Sequence, residues 1–211
     1  MLKLLLHFHY FCIKLIISKS TKYTSANFKL DAYHGTFSKY VLSIKADNFK
    51  EIGSDEWAGD GAYFFVDGIQ ESPINDASNW VLSRNKEESG EVIAVLKAIV
   101  KITQNNFLDM STNDGLKIFN YTRQEMLKKA EDAGKILVKK SGDDFKDGHV
   151  INNIRDNSQI EIVKINTFIM FKREKDITLR SRLPNTTIIS VVNTNENIPK
   201  GSIIQIDFLK V

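Results

Sequence analysis

The 211-residue chain is predicted to be an α+β protein. Two observations carry that reading. Apolar residues alternate at period two or recur at helical spacing in clear segments, and their order runs strand, helix, strand, helix, strand, helices and then several strands. Runs of strands without strict strand–helix alternation point away from a parallel α/β sheet. The length suits one domain, or one domain with a tail.

The first strand is predicted over Leu30 to Thr36. Phe37, Tyr40, Val41 and Ile44 then fall at helical spacing, which places an amphipathic helix over 38–46. Residues 47–60 read as a loop rich in Asp, Glu and Gly, and Ala62 to Val66 as a strand. Ser72 followed by Pro73 marks a helix start, with Ile74, Ala77 and Val81 on one face and Trp80 extending it. Glu91 to Ile102 is apolar on both faces, apart from Lys97 and Lys101, as expected of a strand with neighbours on both sides. A charged loop, 84–90, precedes it.

Phe107-Leu108-Asp109 is a short apolar stretch. Thr122-Arg123-Gln124-Glu125 matches a capping box and predicts a helix start before Met126, Leu127 and Ala130. Ser141 to Asp144 reads as a turn. Strands are expected over 159–165, 167–171, 186–192 and 202–209, with Lys172 to Lys175 as a hairpin tip.

Residues 1–18 are the most apolar stretch, interrupted by His7, His9 and Lys14. Three readings stand: an accessory helix or strand, a secretory signal or anchor, or a segment added by a misplaced start codon. Residues 19–29 are polar and read as a linker. The division is therefore 1–29 as an apolar segment and linker, and 30–211 as the folded domain. A cytoplasmic location is expected, with secretion or membrane anchoring left open.

Composition narrows the chemistry. The single cysteine, Cys12, excludes an intrachain disulfide and a cysteine-rich zinc site. The four histidines lack the spacing of a helical zinc motif, and no metal is expected. A net charge of +3 is too mild to argue by itself for nucleic-acid binding.

The stretch with most chemical content is Tyr33-His34-Gly35-Thr36 together with Trp57-Ala58-Gly59-Asp60-Gly61-Ala62-Tyr63-Phe64. Glycines permit positive φ and close approach of the backbone to a ligand, while His34 and Tyr63 offer hydrogen bonds and an aromatic face. A lone histidine on a strand is more often a core residue than a ligand contact, and Tyr63 beside Phe64 and Phe65 also reads as core. The order and spacing of the pieces shift the weight toward a binding site.

Taken with Tyr40-Val41-x-Ser43-Ile44, Ala77-x-x-Trp80 and Gly90-x-Val92, these residues resemble the ADP-ribosyltransferase superfamily, in the branch of the diphtheria toxin catalytic domain and the poly-ADP-ribose polymerases. The resemblance covers residues 31–101. It implies two packed, mostly antiparallel sheets around a bent NAD molecule, which serves as substrate. It implies His34 on a ribose hydroxyl, Tyr63 stacked on nicotinamide, and Tyr33, Gly35, Thr36, Gly59 and Gly61 around the dinucleotide. The family also places a glutamate on a later strand.

Glu161, with Gln159 two residues before it, is the first choice for that glutamate. An alternative register puts Asn166 and Thr167 there and leaves no carboxylate. Arg182, in an unusual Ser181-to-Asn185 loop, is a candidate phosphate contact, or part of an exposed basic loop. The implied activity is mono-ADP-ribosyl transfer, of toxin, effector or anti-phage type, to a protein or nucleic-acid acceptor, with an antitoxin as a further partner. Two other readings are an RNA 2′-phosphotransferase-like enzyme and a degenerate NAD- or ADP-ribose-binding module.

Overall fold

The computed structural model describes residues 27–53, 57–84, 92–133 and 146–210. The apolar segment 1–18, the loop 84–90 (apart from Arg84) and the turn at 141–144 lie outside the described residues.

Seven strands form one mixed sheet. They are β1 (Phe28–Phe37), β2 (Ala62–Val66), β3 (Val92–Ile102), β4 (Phe107–Asp109), β5 (Ile162–Thr167), β6 (Thr186–Val191) and β7 (Ile204–Lys210), in the spatial order β4-β5-β6-β2-β1-β3-β7. β4 and β5 pair in parallel, and every other neighbouring pair is antiparallel. The α+β class is as the pattern predicted. The two separate sheets are not what the hydrogen bonds form, because β2 pairs with both β6 and β1 and so ties the two halves into one sheet.

Period-two alternation divides the core into two layers. Ala32, Phe64, Val66, Leu96, Ala98, Ile162, Ile189 and Val191 face one side with Val41, Phe49 and Ile198. That side is capped by α1 (Val41–Asp47) and the short α6 (Thr194–Asn197). The opposite layer holds Phe65, Val95, Val163, Ile165 and Ile188. It is covered by α2 (Pro73–Arg84), α3 (Asn113–Asp132) and α4 (Asp147–Asp156), through Ala77, Ile118, Phe119, Val150, Ile151 and Ile154. β3 lies between β1 and β7, as its two apolar faces predicted.

Ser72 caps α2 as expected, its hydroxyl accepting from the Asn75 amide at 3.2 Å. The capping box at Thr122 is not a helix start. α3 begins nine residues earlier, where the Thr112 hydroxyl accepts from the Gly115 amide. Thr122 is buried in mid-helix and donates back to the Ile118 carbonyl, a bond open to any helical threonine. The stretch 159–165 becomes strand only from Ile162. Residues 167–171 are strand only at Thr167, and the expected hairpin tip is a short helix, α5 (Lys172–Asp176). There Ile169 and Phe171 are buried as core plugs rather than in a ladder.

The sheet is not continuous at its centre. β1 pairs with β3 at ten positions, yet with β2 only at Ala32–Val66 and Tyr33–Phe65. Beyond Tyr33 the two strands part. The free edge of β2 is picked up again at Gly61, which exchanges both main-chain bonds with Ile52. Between those two points lies a gap, and His34 and Tyr63 stand at it.

Candidate functional site

His34 sits where β1 leaves β2. Its Nδ1 donates to the main-chain oxygen of Tyr63 at 2.9 Å, and its ring packs edge-on against Phe49 and tilted against Phe64. Burial pushes the imidazole below its ordinary pKa, with the bond to the Tyr63 carbonyl opposing. A neutral ring with its proton on Nδ1 keeps Nε2 as an acceptor, suited to a hydroxyl.

Tyr63 presents its ring on the other face of the sheet, with the Phe65 layer. Its hydroxyl donates to the Gly59 carbonyl at 2.7 Å and accepts from the Ala58 amide at 2.9 Å. The hydroxyl thus closes the loop that precedes its own strand, and Tyr63 borders the cavity from there. Both residues border one cavity, because the parting of β1 and β2 opens the sheet between its faces. The cavity has a volume of about 130 Å³, smaller than a typical small-molecule site.

Gly35 and Gly61 also line this cavity. Gly35 lies two residues beyond Tyr33, where β1 has left β2. Gly35 has a packing duty as well: a Cβ there would lie 1.9 Å from the Ala77 carbonyl oxygen of α2. Gly59 and Gly61 both have positive φ, and their Cβ positions are occupied by Asn152 and by the Val191 main chain. Tyr33 and Thr36 flank His34 but do not line the cavity, and neither does Gly59.

Glu161 and Gln159 are not brought to this cavity. They border a second, polar one with Asp60, Asn152, Arg155 and Asn193. The Glu161 carboxylate accepts from Asn193 Nδ2 at 2.6 Å and from Asn197 Nδ2 at 2.9 Å, which commits both oxygens to the α6 turn. Strand alternation could not place Glu161, because β5 starts one residue later. Asn166 and Thr167 are also elsewhere, Asn166 Oδ1 accepting from the Thr187 hydroxyl at 2.8 Å. Arg182 is exposed and does not line the cavity.

Lys50, Ile52, Trp57, Trp80 and Arg84 are among the cavity-lining residues not read from sequence as ligand contacts. Trp57 and Trp80 pack edge to face at 6.3 Å, and the Arg84 guanidinium lies over the Trp80 ring at 4.3 Å. The described lining therefore carries two side-chain cations, the His34 imidazole and several aromatic rings, but no carboxylate.

Arg155, on α4, was also missed. Its Nη1 donates to the carbonyls of Ala58 and Asp60, and its Nη2 to the carbonyl and hydroxyl of Ser190. Burial lowers its pKa to about 10, with Tyr63 and Asp60 pulling the other way, so it stays charged at neutral pH. Asn152, one turn earlier, accepts from the Asp60 amide and donates to its carboxylate. The loop 58–61 is thereby held between α4 and β6. The signal for α4 was present in Val150, Ile151 and Ile154 at helical spacing.

Among the described residues no group of three or more His, Cys, Asp or Glu side chains could hold a metal ion, and no helix is long and apolar enough to cross a membrane. Comparison of the chain with protein-family models, curated proteins and solved structures finds no match.

Proposed function

We propose that the cavity between β1 and β2 holds NAD and that the chain is an ADP-ribosyltransferase-like enzyme releasing nicotinamide. One observation carries this reading: His34 and Tyr63, from segments 29 residues apart, border the same cavity at the point where the sheet parts. A neutral imidazole suits a ribose hydroxyl, and the Tyr63 ring suits a planar nicotinamide. The main chain of Gly35, which borders the cavity, suits the carboxamide. Breaking the nicotinamide–ribose bond builds positive charge on the sugar, and a site that fixes the sugar and the leaving ring contributes by orientation. The family's two sheets around a bent dinucleotide would correspond here to one sheet parted at its centre. A mono-transferase acting on a protein or nucleic acid, with toxin-like use and an antitoxin partner, is the form the resemblance favours.

A second reading is favoured by a different observation. Glu161 is engaged with Asn193 and Asn197, and no carboxylate is among the described residues of the cavity. A module that binds NAD or ADP-ribose without turnover fits that arrangement.

Incubation with NAD labelled in the nicotinamide ring separates the two. Release that drops by a factor of at least ~100, about 2.7 kcal/mol, in His34→Ala supports the enzyme. Saturable binding without release supports the module, and neither binding nor release rejects both.

A further inference from the structure

We infer that the chain pairs with a second copy of itself, the loop 177–185 of each copy entering an acidic groove between α2 and α5 of the other. The inference is independent of what the cavity between β1 and β2 holds. The loop joins α5 to β6 and includes the unusual Ser181-to-Asn185 stretch. Ile177 and Leu183 are 66% and 76% exposed, and Leu179, Arg180 and Arg182 are also exposed. Among the described residues neither arginine has an ion-pair partner.

The loop is shaped by its own bonds. The Leu179 amide donates to the Glu174 carbonyl at 2.8 Å and the Thr178 amide to the Lys175 carbonyl at 3.1 Å, the pair of bonds that ends a helix on a left-handed residue. That residue is Thr178, at φ 53°, where a β-branched side chain is strained. Further on, the Leu183 amide donates to the Ser181 hydroxyl at 3.0 Å. A preformed loop loses less freedom on docking.

The two ends of the loop, Ile177 and Asn185, border a groove of about 1050 Å³. Glu71, Asp76, Glu174 and Asp176 line it, against Lys172 as the one cation among its described lining residues. That charge is not neutralised within the chain. One Glu174 carboxylate oxygen is buried without a hydrogen-bond partner. Burial raises the Asp76 pKa, a bond from Thr186 opposes, and the Glu174 charge adds to the rise. Ile69, half exposed, and Ile177 give the groove an apolar rim. Arg180 and Arg182, set among aliphatic side chains, match that lining in charge and character, yet neither lines the groove of its own chain. Because loop and groove adjoin on one face, a two-fold axis satisfies both contacts at once. An anionic membrane would meet the carboxylates of the groove beside the same arginines, and like charge disfavours it.

Sedimentation velocity of the full chain is expected to show a dimer at ~50 μM protein in low salt that dissociates toward ~0.5 M salt, as screening of exposed charges requires. Arg180→Glu with Arg182→Glu, and Glu71→Lys with Asp176→Lys, should each give a monomer. All four side chains are exposed, so circular dichroism should show an intact fold. Mixed in equal amounts, the two variants should form a heterodimer, since each loop then meets a groove of opposite charge. A monomeric wild type, a dimer that survives either reversal, or a mixture that stays monomeric would overturn the inference. A monomeric wild type that binds phosphatidylserine vesicles through the two arginines would overturn it in favour of a membrane surface.

Discussion

The Nδ1 atom of His34 lies 2.9 Å from the main-chain oxygen of Tyr63, so the imidazole fills the step at which β2 passes from β1 to Ile52. That bond ties the ring to the fold as well as to the cavity. Burial holds its pKa below 6.5 in the folded chain. The unfolded chain takes up a proton near pH 6.5, whereas the folded chain does so only at lower pH. Stability from this group is therefore full above pH 6.5 and falls as pH drops toward the folded value. The thermal midpoint of wild type is expected to fall between pH 7.5 and 5 more steeply than that of His34→Gln. Superimposable profiles would show that the ring is not desolvated.

Gly35 is where site and packing compete. A methyl group there would meet the Ala77 carbonyl at 1.9 Å and Val81 at 2.6 Å, and a main-chain oxygen inside a helix cannot move aside alone. Gly35→Ala is expected to cost about 3 kcal/mol or more, as overpacking at a rigid contact does. Gly53, with nothing within 4 Å of its Cβ position, serves as control, and Gly53→Ala should stay within about 0.5 kcal/mol. Urea denaturation reads both. Equal midpoints would mean that α2 stands off from β1.

Much of the fold was readable because its strands are strongly patterned. Ala62 to Val66 coincides with β2, and the two apolar faces of β3 are those buried in the two core layers, Ala94, Leu96 and Ala98 in one and Val95 in the other. What failed did so for local reasons. Thr122 and Glu125 satisfy a capping pattern inside a helix whose true cap, Thr112, precedes Gly115. α4 opens on Asp147 and Gly148 and carries paired asparagines, which mask Val150, Ile151 and Ile154. The candidate site was legible only where chemistry sits within one segment, as at His34 and Tyr63. Lys50 and Trp57 come from the connection before β2 and Trp80 and Arg84 from α2, and nothing local marks the two groups as neighbours.

Glu161 tests how far the family pattern extends. Its carboxylate accepts from Asn193 and Asn197, next to the turn into α6. Glu161→Gln puts an amide where two amide donors converge. It should lower stability by about 1.5–3 kcal/mol and leave NAD turnover within about twofold. Thermal unfolding and nicotinamide release measure the two effects separately. A hundredfold loss of release at an unchanged thermal midpoint would return Glu161 to the chemistry and would mean that the second cavity joins the first when ligand binds.

Arg155 offers the last test, because its effect on the cavity must be indirect. The guanidinium holds the carbonyls of Ala58 and Asp60 on one side and Ser190 on the other. The Ser190 hydroxyl donates to the same Ala58 carbonyl at 2.7 Å, and Ala58 and Gly59 in turn bind the Tyr63 hydroxyl. Lysine keeps the charge but has one nitrogen where arginine uses two, so it cannot span both anchor points. Arg155→Lys should cost about 1.5–3 kcal/mol. It should also release the loop bearing Trp57, which shifts tryptophan emission toward the red in the folded protein before any ligand is added. Tyr63→Phe, which removes the other end of the chain of bonds, is expected to shift emission in the same direction. A destabilised Arg155→Lys with wild-type emission would confine Arg155 to bracing α4 against β6, with no bearing on the cavity wall.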